Sequence, residues 1–412
     1  MSSEEQPPGD AGKSGGEPQS SRRKRDWGLG TTVVAGIFVV VGAVAAAVVP
    51  TVPSQDWPWY TPPTPSQTPT LPSPSVSPTR SSPPSAPTTS PPSASDSEVP
   101  ALTLPDPGGK GVYGVAFTSN GTLATGDLDG SAFLWNIAKA KVTRTFSDSN
   151  GQAIFGVAVT PDGAFLAADA ANAPVYSKGG VVLWDTSESK PVHILTAPSG
   201  QQFGNPPAFS PDEETVAAAS ADFSIYLWNL TTGKLVGKPL TDPGSQGDYG
   251  IAFSPTTGLL AAGDQNGTAY LWDTKRERIV RSFPDPDSEG VRSVAFSPDG
   301  SVLATGDDNG NVYLWDPATS APSTLLRGPK GGTIQSIAFS PRGGMIAATS
   351  DNDKQHDYVT CIWDPSGKLL YTFHDPKSES MTKVAFSPDG SVLAVGDENN
   401  NTYIWDMNGL NP

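Results

Sequence analysis

Seven tryptophans recur down the chain, each near the end of a short apolar run: Trp135, Trp184, Trp228, Trp272, Trp315, Trp363 and Trp405. Each is followed by Asn or Asp, at 136, 185, 229, 273, 316, 364 and 406. The gaps between them are 49, 44, 44, 43, 48 and 42 residues. A period of roughly 40–45 residues, with room for four short strands per unit, is the spacing of β-propeller blades. Such a unit cannot bury its apolar faces alone, so the units must stack on one another. The expected fold is all-β.

The fifth unit shows the plan. Val291–Phe296 alternates as a strand should, and Ser-Pro-Asp-Gly at 297–300 is a tight turn. In that turn Pro sets φ and Gly takes the left-handed position. Residues 302–305, 311–315 and 324–326 read as the second, third and fourth strands, with a turn at 306–310. We call the four strands a, b, c and d. The first turn recurs at 118–121, 160–163, 210–213, 254–257, 340–343 and 387–390.

This pattern resembles the WD-repeat β-propeller family over about residues 99–412. The resemblance is carried by Val-Ala-Phe-Ser-Pro-Asp-Gly at 294–300 and 384–390, and by Tyr-Leu-Trp-Asp at 270–273 and 313–316. The form with few histidines is similar to the bacterial branch. The resemblance implies a seven-bladed propeller that binds protein or peptide partners and catalyses nothing. One family feature is missing. The Gly-His dipeptide before strand a is absent, and the only histidines are His193, His356 and His374. The family's Asp–His–Ser/Thr–Trp tetrad therefore is not carried over, and the buried indole N–H groups need other acceptors. Two residues before each Trp stand Phe133, Val182, Tyr226, Tyr270, Tyr313, Cys361 and Tyr403. Positions i and i+2 share a strand face, so these side chains are expected to pack beside the Trp between blades.

The last unit ends too soon to supply strand d. Residues 101–107 are similar to 280–286 and 370–376. Residues 100–105 are therefore expected to form the outer strand of the blade holding 381–406, closing the ring and removing exposed sheet edges.

Ahead of the repeats the composition changes three times. Residues 1–26 are polar and end in Arg22, Arg23, Lys24 and Arg25. Residues 29–49 carry no charge. As a helix that run would span roughly 30 Å, one hydrocarbon core. With the basic cluster before it and Trp57, Trp59 and Tyr60 after it, the positive-inside rule puts 1–26 in the cytoplasm and the repeats outside. The alternative is a cleaved signal peptide, with Ala-rich sites at 43–47, although the apolar run is longer than a usual signal core. No Cys follows the run, which excludes a lipoprotein. Residues 50–98 are rich in Pro, Ser and Thr and are expected to be an extended, disordered linker. The domains thus read as tail 1–26, single-pass membrane helix 27–49, linker 50–98 and propeller 99–412.

The net charge is −16, nearly all of it in the repeats. An acidic domain repels phosphate backbones, so nucleic acid is not an expected partner. The lone Cys361 forms no intramolecular disulfide and is expected to be buried and inert. In a propeller the d–a and b–c loops share one face. Here the b–c loops hold Asp127, Asp129, Asp222, Asp264, Asp307, Asp308, Asp397 and Glu398. The d–a loops add Asp106, Asp148, Asp242, Asp285, Asp287 and Asp375. Any one Asp is explained by turn geometry, while the set could attract a basic peptide or weakly bound Ca²⁺. No EF-hand loop and no His/Cys cluster is present, so no cofactor and no specific metal ligands are expected. Near the start of strand a the units align Tyr113, Phe155, Asn205, Tyr249, Arg292, Gln335 and Thr382. The resemblance implies that this ring contacts partners, and aromatic and Arg residues are common anchors. The expected binding set is Tyr113, Phe155, Tyr249, Arg292 and Gln335. Two b–c loops, 169–180 and 350–358, are enlarged. No nucleophile elbow, phosphate loop or kinase signature appears. The competing reading is a metal-dependent propeller enzyme of the lactonase or hydrolase type.

Overall fold

The computed structural model describes residues 95–96, 99–147, 153–170, 179–245, 247–287, 290–319, 322–328, 332–352, 357–374 and 380–410. The expected tail, membrane segment and almost all of the linker lie outside them, as do Asp148, Asp375 and most of the enlarged loop at 169–180. Among the described residues no helix is long and apolar enough to cross a membrane.

Seven small sheets follow one another along the chain. The first is built from Val112–Phe117, Leu123–Asp127, Ser131–Asn136 and Lys141–Ser147. The fifth repeats it with Val291–Phe296, Leu303–Asp307, Asn311–Trp315 and Pro322–Arg327. Strands a to d pair antiparallel in chain order. The a strands neighbour one another in a closed cycle, the seventh meeting the first, so the molecule is a seven-bladed propeller. Strand Leu102–Pro105 pairs antiparallel with Asn401–Asp406 as the outer strand of the seventh blade, Leu104 standing opposite Thr402.

The core lies between blades. Strand c is buried almost throughout, and each blade junction has its own apolar cluster. The strand-d phenylalanine of one blade meets the tryptophan of the next: Phe146 and Trp184 at 5.9 Å, Phe283 and Trp315 at 5.5 Å, Phe373 and Trp405 stacked at 4.4 Å. Such pairs add about 0.5–1.5 kcal/mol beyond their buried area. The aromatic two residues earlier packs beside its Trp at Phe133, Tyr226 and Tyr313. Cys361 is buried.

Two expectations need correction. The third blade has only three regular strands, Ala208–Phe209, Thr215–Ser220 and Ser224–Asn229. Where strand d belongs, only isolated bridges join Trp228 to Leu235 and Ile225 to Leu240. Gly233 and Gly237 turn left-handed there, and Pro239 has no N–H to give a ladder. The sixth blade gains a fifth strand instead, Ser95–Asp96 running parallel to Leu369–His374. Its enlarged b–c loop is a lengthened hairpin, paired out to Asn352 and Asp357.

One irregularity recurs. In blades one, four, five, six and seven the a–b register shifts near the start of strand a. Val112 faces Asp127 and Gly114 faces Gly126, which leaves Tyr113 as an extra residue. Arg292 and Gln335 occupy the same bulge in their blades.

Candidate binding face

These bulges place the expected ring. A bulge takes one residue out of the ladder and re-aims its side chain. Tyr113, Arg292 and Gln335 are half-buried, as is Phe155, which precedes its strand. The structure brings Tyr113 and Phe155 together edge to face at 5.7 Å. Arg292 donates to Asp308 of the neighbouring b–c turn. Tyr249 lies in strand Asp248–Phe253, with its side chain outside the described ones. Thr382 is buried and donates to the Val112 carbonyl at 2.6 Å, so it belongs to the blade junction and not to a contact surface.

Much of the acidic face is also interior. Asp127, Asp264, Asp307 and Asp397 end their b strands fully buried. Their carboxylates accept backbone N–H groups of the turn that follows, from Ser131 at 2.9 Å, Asn266, Asn311 at 2.7 Å and Asn401 at 2.8 Å. Asp106, Asp242 and Asp285 are buried as well. Asp129 and Asp287 face outward, and Asp222, Asp308 and Glu398 are half-buried. The physical reason is local: a short carboxylate closes a tight turn best when it folds back onto the backbone.

Buried acids then meet one another. Burial, opposed by a hydrogen bond from Ser131, raises Asp127 to about 6, and the nearby charges of Asp106 and Asp129 push the same way. Asp285 reaches about 6 mainly through burial, helped by the charges of Asp307 and Asp287.

Two charged residues escaped the sequence reading. Lys383 stands where other a strands hold Gly114, Gly156, Gly250, Ser293 and Ser336. Asp169 stands where other b strands hold Gly126, Gly263, Gly306 and Gly396. The Lys383 ammonium donates to the Gln335 carbonyl at 3.2 Å. Burial lowers it to about 8, against the pull of Asp169, while Arg292 pushes it further down. Asp169 is fully buried and held well above the carboxylate range by desolvation. The signal for both is a single charge in a column of small residues, visible only when every strand position is aligned. Phe223 was also missed. It is 45 % exposed on the third b–c turn and held at φ +65°, a conformation uncommon outside Gly and Asn.

Comparison with known proteins agrees with this architecture. The family model described as "WD domain, G-beta repeat" matches residues 99–136, 208–229, 240–273, 277–316, 320–355 and 367–406, more than half of the chain. No curated protein matches in sequence. Among solved structures, one described as "Crystal Structure of Mitotic Checkpoint Complex" superposes with a TM-score of 0.63 at 19% identity, covering 80% of this chain and 98% of that one. That likeness concerns the fold. The family match, in six segments over more than half of the chain, identifies the chain as a member of the WD-repeat family.

Proposed function

We propose that the protein is a non-catalytic scaffold or sensor, anchored in a membrane by residues 27–49, with its propeller outside the cytoplasm on the Pro/Ser/Thr-rich linker. The face carrying the d–a and b–c loops binds a protein or peptide. The repeated bulge carries this reading: five blades share it, and in three of them it presents Tyr113, Arg292 or Gln335 at the same end of strand a. A ladder gains nothing from losing a pair, whereas a binding rim gains an aimed side chain. The outward carboxylates Asp129 and Asp287 suit a basic segment.

The test is capture from envelope extract by the full chain in lipid nanodiscs, compared with a Tyr113→Ala/Phe155→Ala variant. We expect a basic-segment partner that binds the wild type and is lost with the variant, whose melting temperature stays close to wild type. A partner held equally well by both forms sinks the assignment of this face. The competing enzyme reading draws on the convergence of Asp285, Asp287 and Asp307, and it requires turnover that disappears in Asp287→Asn.

A further inference from the structure

At the junction of the fourth and fifth blades three carboxylates converge. Asp285 follows strand Arg278–Pro284, Asp287 lies two residues on, and Asp307 ends strand Leu303–Asp307. One oxygen from each lies within 4.8 Å of the other two. Two ligands of one ion can be no farther apart than twice the metal–oxygen distance. For Ca²⁺, at about 2.3–2.6 Å, that limit is roughly 4.6–5.2 Å.

The neighbouring groups leave one atom unexplained. Asp307 accepts from Asn311 through its side-chain amide at 2.9 Å and its backbone N–H at 2.7 Å. Asp287 accepts from the Tyr313 hydroxyl at 2.9 Å and the Asn311 amide at 3.3 Å. Asp285 uses one oxygen for the Asp287 N–H at 2.7 Å. Its other oxygen, Oδ2, meets no donor, although the residue is only 5 % exposed. A buried carboxylate oxygen beside other carboxylates is costly unless a proton, which Asp285 and Asp307 can share, or a cation sits between them.

The repeat itself marks the place. Asp285 and Asp307 have counterparts in Asp106 and Asp127, and in Asp242 and Asp264, so a pair of acids is common to several junctions. The third is not. Where Asp287 stands, those two junctions carry Gly108 and Gly244. Turn closure accounts for the pair, while the third acid, held by Tyr313 and Asn311, is particular to this junction among the three.

We propose that Asp285, Asp287 and Asp307 form a site for a divalent hard cation, Ca²⁺, which ties the d–a loop of the fourth blade to the b–c turn of the fifth. The three acids supply charge and oxygen ligands, and solvent on the Asp287 side completes the shell. The ion staples blades four and five; it shares Asp287 with the partner-binding reading, and the melting and Tb³⁺ measurements, made without a partner, test it separately.

The full chain in nanodiscs, stripped with EDTA, is melted with and without millimolar Ca²⁺. In parallel it is titrated with Tb³⁺, whose emission Tyr313 would sensitise. We expect Ca²⁺ to raise the melting temperature by several degrees, and Tb³⁺ emission to appear and be displaced by Ca²⁺. Asp287→Asn, at an exposed position, should remove both responses, and Asp129→Asn, on the first blade's b–c turn, should keep them. Absence of both responses in the wild type overturns the site. So does an equal response in Asp287→Asn, or a loss of it in Asp129→Asn.

Discussion

At Trp315 the indole N–H has an acceptor, Thr305 Oγ1 at 2.8 Å, and at Trp135 it has Thr125 at 2.9 Å. The same register position holds Ala262 before Trp272 and Val395 before Trp405, and neither indole N–H finds an acceptor among the described residues. Trp363 takes a backbone carbonyl instead, that of Arg327 at 3.2 Å. Two blades thus keep the Thr–Trp half of the family tetrad, while its histidine place is given up. Thr305→Val keeps the shape and orphans a buried donor. It should cost about 1–3 kcal/mol in denaturant melts. Asp127 gives a pH signature. Its folded value of about 6 lies above the ordinary 3.8, so between those values the folded state holds a proton that the unfolded state has released. Stability from this group is therefore full below about 4 and declines as pH rises through 6. Asp127→Asn keeps an acceptor for the Ser131 N–H and removes the titration. Relative to wild type it should gain up to about 3 kcal/mol between pH 4 and pH 7, since each pH unit separating the folded and unfolded values is worth about 1.4 kcal/mol. Parallel pH profiles for the two proteins would refute this.

At the scale of the strand, close approach sets which residues are allowed. A Cβ on Gly263 of strand Leu260–Asp264 would lie 2.4 Å from the Val291 carbonyl oxygen, which belongs to the next blade's inner strand. Backbone cannot yield there as a side-chain tip can. Gly263→Ala should therefore destabilise by about 1–3 kcal/mol, measured by urea unfolding. The Ser-Pro-Asp-Gly turn is equally determined by local chemistry. Ser297 Oγ donates to Asp299 at 2.6 Å and accepts from the Val302 N–H at 2.9 Å, while Gly300 sits at φ +70°. The Ser297 hydrogen bond, joined by those from the Ser301 N–H and hydroxyl, holds Asp299 down at about 2. Such a turn closes itself from four residues, and that is why its sequence could be read wherever it recurred.

At the scale of the ring, Leu102–Pro105 matters more than its length suggests. Leu104 is buried at 1 % exposure in the cluster shared by the first and seventh blades. Removing residues 99–106 strips that cluster and uncovers the edge of strand Asn401–Asp406. The truncated full chain should melt many degrees lower, and an unchanged melting temperature would mean that the seventh blade holds without its outer strand. The blades are legible in the chain alone: Trp spacing, strand alternation and turn chemistry are local, and they repeat seven times. It also marked the end-to-start closure, because residues 101–107 copy another blade's outer strand. It did not reveal which acids are interior, that the third blade's outer strand fails, or that Asp285, Asp287 and Asp307 converge. Those depend on the register between strands and on the packing of one blade against the next. Asp285 and Asp307 meet only because the loop leaving the fourth blade packs against the b–c turn of the fifth.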